Sequence, residues 1–138
     1  MRQAIAEAQK ALDEGEVPIG AVMVAGDRVV ARGHNLVETL GDPTAHAEMQ
    51  VITAATDAIG GKYLPDCTLY VTVEPCPMCA SAAWWAQLGK IVYGAADPKR
   101  GFSGIDHRLV HPKTEVKGGI LEQESSELMT GFFRKKRN

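Results

Sequence analysis

The chain's apolar positions recur with two periods, one helical and one strand-like, and they switch several times along its length. Over residues 2–14 the spacing is helical: Ala4, Ile5, Ala8, Ala11 and Leu12 share one stripe, and Gly15 ends it. Residues 19–25 and 29–33 read as strands flanking Gly26-Asp27, a hairpin signal. Asp42-Pro43-Thr44 opens a helix expected to run to Ile59, closed by Gly60-Gly61. Residues 69–73 form a short β-rich run. Residues 77–88 form an apolar helix stopped by Gly89, and 91–94 another strand. Residues 97–113 mix Gly, Pro, His and basic residues and read as a loop. A weak strand at 115–117 and a helix over 122–136 complete the chain. Helices alternating with strands predict an α/β fold, a three-layer α-β-α sandwich around a mixed five-stranded sheet.

Length and composition support this picture. The 138 residues suffice for one compact domain, 1–138, with a real core; 45% are hydrophobic and 23% charged, a globular balance. There are no repeats, low-complexity stretches or linkers. No apolar run approaches the ~20 residues of a membrane span, so no membrane partner is expected. The opening residues already form an acid-bearing helix rather than a leader, which points to the cytoplasm; so abrupt a start is expected to lack a few preceding residues. The three cysteines, two of them in Cys-x-x-Cys, fit a reducing compartment and a metal better than disulfides.

Charge is unevenly spread. The net is −2, which argues against indiscriminate nucleic-acid binding. Residues 1–89 nevertheless carry 5 Lys/Arg against 11 Asp/Glu, and residues 90–138 carry 10 against 6. The second part can offer a basic face to phosphates. The run Arg134-Lys135-Lys136-Arg137 concentrates that charge, although cations also suit a helix C-terminus, and for this run alone the solvated helix end is the preferred reading.

The chemistry-bearing residues are His46-Ala47-Glu48 and Pro75-Cys76-Pro77-Met78-Cys79. His46, Cys76 and Cys79 make three good zinc ligands, and Glu48 is a spare acid. A closed structural site needs four protein ligands; three plus an acid leave the fourth position for water, as a catalytic Zn2+ requires. Cys76 and Cys79, at i and i+3 where strand gives way to helix, present both sulfurs to one side of the first turn. Unpaired N–H groups there favour thiolates. On an ideal helix positions i and i+2 point about 200° apart. His46 and Glu48 therefore converge only if His46 sits on a half-formed first turn. Zinc lowers the pKa of its water to about 7. Glu48 would carry that water's proton to a ring nitrogen and then to the leaving ammonia. The pattern H-x-E…P-C-x-x-C is the signature of zinc nucleobase deaminases. Cys67, without a partner beside an apolar strand, reads as a small core residue. An RNA-binding module with structural zinc would need a fourth ligand, for which His34, His107 and His111 are badly spaced and Cys67 would have to reach the site.

The resemblance extends beyond the metal motif. Residues 15–22 (GEVPIGAV), 42–48 (DPTAHAE), 69–76 (LYVTVEPC), 92–99 (VYGAADPK) and Gly131-Phe132-Phe133-Arg134 resemble the bacterial tRNA-specific adenosine deaminases of the cytidine deaminase superfamily. The resemblance implies conversion of adenosine to inosine at the tRNA wobble position, a homodimer and a tRNA anticodon stem-loop as partner. It assigns His46, Cys76 and Cys79 to zinc and Glu48 to proton transfer. Asn35 and the Ala47 N–H would meet the base, and Asp97 would lie near the flipped nucleotide. Lys99, Arg100, Phe133 and Arg134 would meet RNA backbone and stacked bases. Read without the resemblance, Asn35 is a strand-end turn residue, Asp97 a solvated loop acid, and Phe132-Phe133 a packed helix face. The chain departs from the family at Pro77, at Trp84-Trp85 and in a shorter 102–113 loop. Mid-helix among alanines, Trp84 and Trp85 are expected to pack in a core or at a dimer face. The competing enzyme is a free-base deaminase for guanine or cytosine, which would use the same zinc and Glu48.

Overall fold

A computed structural model describes residues 1–137. Its elements are α1 (Arg2–Asp13), β1 (Gly20–Ala25), β2 (Arg28–His34), α2 (Val37–Leu40), α3 (Ala47–Ile59), β3 (Cys67–Val73), α4 (Pro77–Trp85), β4 (Lys90–Ala95), α5 (Phe102–Ile105), β5 (Glu115–Lys117) and α6 (Glu122–Arg137). The sheet order is β2-β1-β3-β4-β5. β1 runs antiparallel to β2 and β3, whereas β3, β4 and β5 are parallel. The mixed five-stranded sheet is therefore as expected, its weak edge strand included.

Helices cover both faces. α1 packs on β1 and β2 and α6 on β4; α3 packs against β2 and β1 on the other face and meets α4. α1 comes close because Ala4, Ala8 and Ala11 are all fully buried and small. It approaches so closely that a Cβ on Gly20 would collide with the Ala4 carbonyl and the Ala8 amide. Leu69, Val71, Met23 and Ile91 meet Val51, Ala55, Ala80 and Ala83 in one core, which also takes Cys67. Cys67 is thus the core residue expected.

Several boundaries differ from those read off the chain. α3 begins at Ala47, not Asp42, because Asp42 Oδ1 accepts from the Thr44 backbone N–H at 2.8 Å and from Thr44 Oγ1 at 2.7 Å, a local turn that competes with helix. α4 stops at Trp85, short of Leu88. There Gln87 turns left-handed (φ 51) and the Leu88 N–H returns to the Ala83 carbonyl at 3.1 Å, a Schellman closure. Residues 97–113 are more ordered than the loop expected: they hold α5 and a 3₁₀ turn at His107–Leu109, because Phe102 and Val110 are buried in the core. The four-residue α2 carries no periodic signal. The core alternative for the tryptophans is overturned. Trp84 is 36% and Trp85 77% exposed, and Trp84 meets the His111 ring at a tilt of 56° with centroids 4.9 Å apart.

The strand directions decide where the site lies. β2, β3 and β4 all end on the edge at which β1 begins. Residues just outside those ends line a cavity of about 380 Å³: Ile19 before β1, Asn35 after β2, Glu74 after β3 and Asp97 after β4. Ligands in open α/β sheets bind at such carboxyl ends.

Candidate active site

His46 is the residue before the first turn of α3, with extended backbone (φ −71, ψ 155), so the half-formed turn required for His46 and Glu48 to converge is present. Cys76 holds the same place before α4 (φ −71, ψ 169), and Pro77 occupies the first helical position, where its missing N–H costs nothing. His46 Nδ1 lies 3.6 Å from Cys76 Sγ and 3.5 Å from Cys79 Sγ. A tetrahedral zinc with the usual Zn–N and Zn–S lengths demands an N···S separation of about 3.6 Å. The donor set fits that ion. Among the described residues these three form the one metal-capable cluster. Cys67 stands at the far end of β3, about 20 Å of strand away, and His34 is engaged by Glu7 and Glu14.

The three ligand side chains and Glu48 perturb one another. The hydrogen bond with Cys79 brings Cys76 down to about 4 against the effect of burial, and His46 adds to the fall. The same bond, together with burial, pushes Cys79 upward. Its bond to Cys76 raises His46. Burial raises Glu48 to about 7, against the pull of its own backbone N–H, and the charge on Cys76 adds to the rise.

Glu48 is 4% exposed and reaches the cavity beside His46 and Cys76. Ala47 also lines it, at the first helical position, where a backbone N–H has no intrahelical partner. Asn35 is buried in the wall, its amide between the Val17 carbonyl (3.5 Å) and the Val37 N–H (3.4 Å). Each end of that amide keeps one unused hydrogen-bonding position. Asp97 and Arg100 line the opposite side. Lys99 is exposed outside the cavity, its N–H capping Asp97. Phe133 and Arg134 are exposed on α6 and do not reach the cavity, whereas Phe132 is buried.

Among the lining residues that sequence reasoning did not assign to the site are Glu74, Glu16 and Met129. Glu74 accepts from the Asp97 N–H (3.1 Å), the Ser103 N–H (3.0 Å) and the Ser103 hydroxyl (2.5 Å), fixing the Asp97–Arg100 wall. Glu16 holds α2 in the same manner, through the Glu38 and Thr39 backbone N–H groups and the Thr39 hydroxyl. Met129 comes from α6. Glu16 and Glu74 lie inside the segments 15–22 and 69–76 that carry the family resemblance, and Met129 stands three residues before Phe132 on the pattern of α6.

The chain is similar to known deaminases in sequence and in fold. The family model for MafB19-like deaminase matches residues 1–137. The tRNA-specific adenosine deaminase of Bacillus subtilis is 48% identical over 99% of this chain and 88% of its own. That of Agrobacterium fabrum is 46% identical over 99% and 93%. A solved structure from work on A-to-I editing by tRNA:A34 deaminases superposes with TM-score 0.87 at 44% identity, covering 93% of this chain and 96% of that one. The guanine deaminase of Nitrosomonas europaea, at TM-score 0.81 and 20% identity over 94% and 80% of the two chains, shares the fold. The chain belongs to the MafB19-like deaminases and to the family of the tRNA-specific adenosine deaminases.

Proposed function

We propose that this chain hydrolyses adenosine to inosine at the wobble position of a tRNA anticodon, as one deaminase domain with one zinc held by His46, Cys76 and Cys79. The observation that carries the reading is a cluster of three ligands beside a buried carboxylate, inside a cavity of about 380 Å³. When bound, zinc supplies hydroxide at neutral pH by lowering the pKa of a water to about 7.

The chain's own residues do the rest. Asn35 and the Ala47 N–H hold the flipped base by its edge. Glu48 takes a proton from the attacking water and delivers it to the ring nitrogen beside the reacting carbon. It then moves the adduct's hydroxyl proton to the amino group, whose carbon–nitrogen bond breaks, leaving inosine and ammonia. Burial excludes competing water from that carboxyl. Asp97 and Arg100 flank the nucleotide at the opposite wall, and Lys99, Phe133 and Arg134 meet the anticodon stem-loop beyond the cavity mouth. A homodimer covering exposed Trp84 and Val116, which border one open groove, is part of the same reading. So is a cytoplasmic location, where tRNA is found. Among the described residues no helix is long and apolar enough to cross a membrane.

The test is ammonia release and product identity on a stem-loop with wobble adenosine, on guanine and on cytosine, with the intact protein and with Glu48→Ala. The expected result is inosine from the stem-loop alone, and a zinc-loaded but inactive Glu48→Ala. Xanthine or uracil would transfer the chain to the free-base class, and an active Glu48→Ala would remove the proton-transfer role.

A further inference from the structure

We propose that Glu16 is a positioning residue for Asn35, setting the base-facing amide through its clamp on α2. This inference rests on the reading that Asn35 meets the base.

Glu16 is fully buried between α1 and β1, yet no cation pairs with it among the described residues. Its carboxylate is satisfied by donors from one segment only. Oε1 accepts from the Glu38 N–H at 3.0 Å, and Oε2 from the Thr39 N–H at 2.6 Å and the Thr39 hydroxyl at 2.7 Å. Burial alone would raise this acid, but the three bonds outweigh it and the group stays ionised. A buried charge held this way is a rigid tie between residues 16 and 38–39, because releasing it strips a desolvated charge of its three charge-assisted bonds.

The position of that tie matters for Asn35. The side-chain amide of Asn35 spans the Val17 carbonyl and the Val37 N–H. Val17 follows Glu16 directly, and Val37 precedes Glu38 directly. The two backbone groups that orient the amide therefore belong to the two strands of chain that Glu16 joins. The hydrogen bonds to Asn35 are long, 3.5 and 3.4 Å, and cannot by themselves set the gap. The short bonds of Glu16 set it. Val17, Val37, Glu38 and Asn35 all line the cavity, so a shift across this tie changes the shape presented to a base rather than a remote surface.

A double-mutant cycle separates positioning from bulk stability. Thr39→Val removes one donor and leaves the carboxylate in place; Glu16→Gln removes the charge. Each is measured alone and with Asn35→Ala, on the zinc-loaded protein with the adenosine stem-loop, alongside zinc content and thermal midpoint. Thr39→Val is expected to lower kcat/KM roughly tenfold, the worth of one such bond, and Thr39→Ser to restore it. In the Asn35→Ala background the same substitution is expected to change kcat/KM less than about twofold, since its route of action is gone. Equal losses in both backgrounds would overturn the positioning role and leave the Asn35 assignment standing. An Asn35→Ala enzyme as fast as the parent would overturn both. Should Glu16→Gln fail to fold, Thr39→Val with its serine rescue decides alone. A parent protein that makes no inosine would remove the functional reading itself, an outcome visible before any variant is compared.

Discussion

Replacing Glu74 by glutamine offers a direct measure of how the cavity's far wall is held. Glu74 is 5% exposed, and its two oxygens accept from Asp97 N–H, Ser103 N–H and the Ser103 hydroxyl. Glutamine keeps the shape but has one oxygen. If that oxygen faces Ser103, the amide NH2 points at the Asp97 N–H, donor against donor. If it faces Asp97, the Ser103 N–H is orphaned while the serine hydroxyl rotates to accept. One bond to a charged acceptor disappears either way, about 1.5–3 kcal/mol, and a buried donor is left unpaired. On the Gly101 side water has no room to take the lost partner's place, because that backbone is packed against the carboxylate so tightly that a Cβ there would collide with it. The expected loss is about 2–3 kcal/mol, read as a fall of about 1–1.5 M in the urea midpoint at an unchanged slope of about 2 kcal/mol per molar. The assay is run with zinc saturating, so that metal loss is not counted as wall loss. Because Asp97 and Arg100 stand on this wall, KM for the stem-loop should rise as well. A loss below about 0.5 kcal/mol would refute the hydrogen-bond reasoning.

The other expectations concern separate parts of the molecule. Burial works to lower the His34 imidazole, but its bonds to Glu7 and Glu14, each 2.9 Å, outweigh burial and raise it. The folded state thus keeps a proton that the unfolded chain releases near pH 6.5. The stabilisation is complete below that pH and fades as pH rises through the raised value. His34→Gln should flatten this fall in urea titrations across neutral and mildly alkaline pH, and an undiminished slope would contradict it. Cys79→Ser should weaken zinc by more than the ~100-fold that outer ligand partners command, as measured by competition with a chromogenic chelator; near-parent affinity would mean another ligand set. Neutralising Arg134, Lys135, Lys136 and Arg137, all exposed on the last turns of α6, should weaken stem-loop binding. It should also reduce the salt slope by about 0.7 for each phosphate no longer neutralised, and an unaltered slope would place the RNA elsewhere.

The candidate metal cluster was legible in the chain because its geometry is local. Cys76 and Cys79 are bound to one turn by their spacing, and His46 and Glu48 are separated by one residue at another helix start. Periodicity likewise revealed α1, the Gly26-Asp27 hairpin and the strands, since each side chain's face follows from its neighbours in sequence. What decides the cavity wall is not local. Glu16 finds its donors 22 and 23 residues away, and Glu74 finds its own 23 and 29 residues away. A buried acid and a solvated one read alike until those donors are in place. The exposure of Trp85, the short helices α2 and α5 and the entry of Met129 into the cavity have the same origin. They depend on which strands become neighbours and which ends meet, and sheet order is fixed by packing over the whole chain rather than by any window of it.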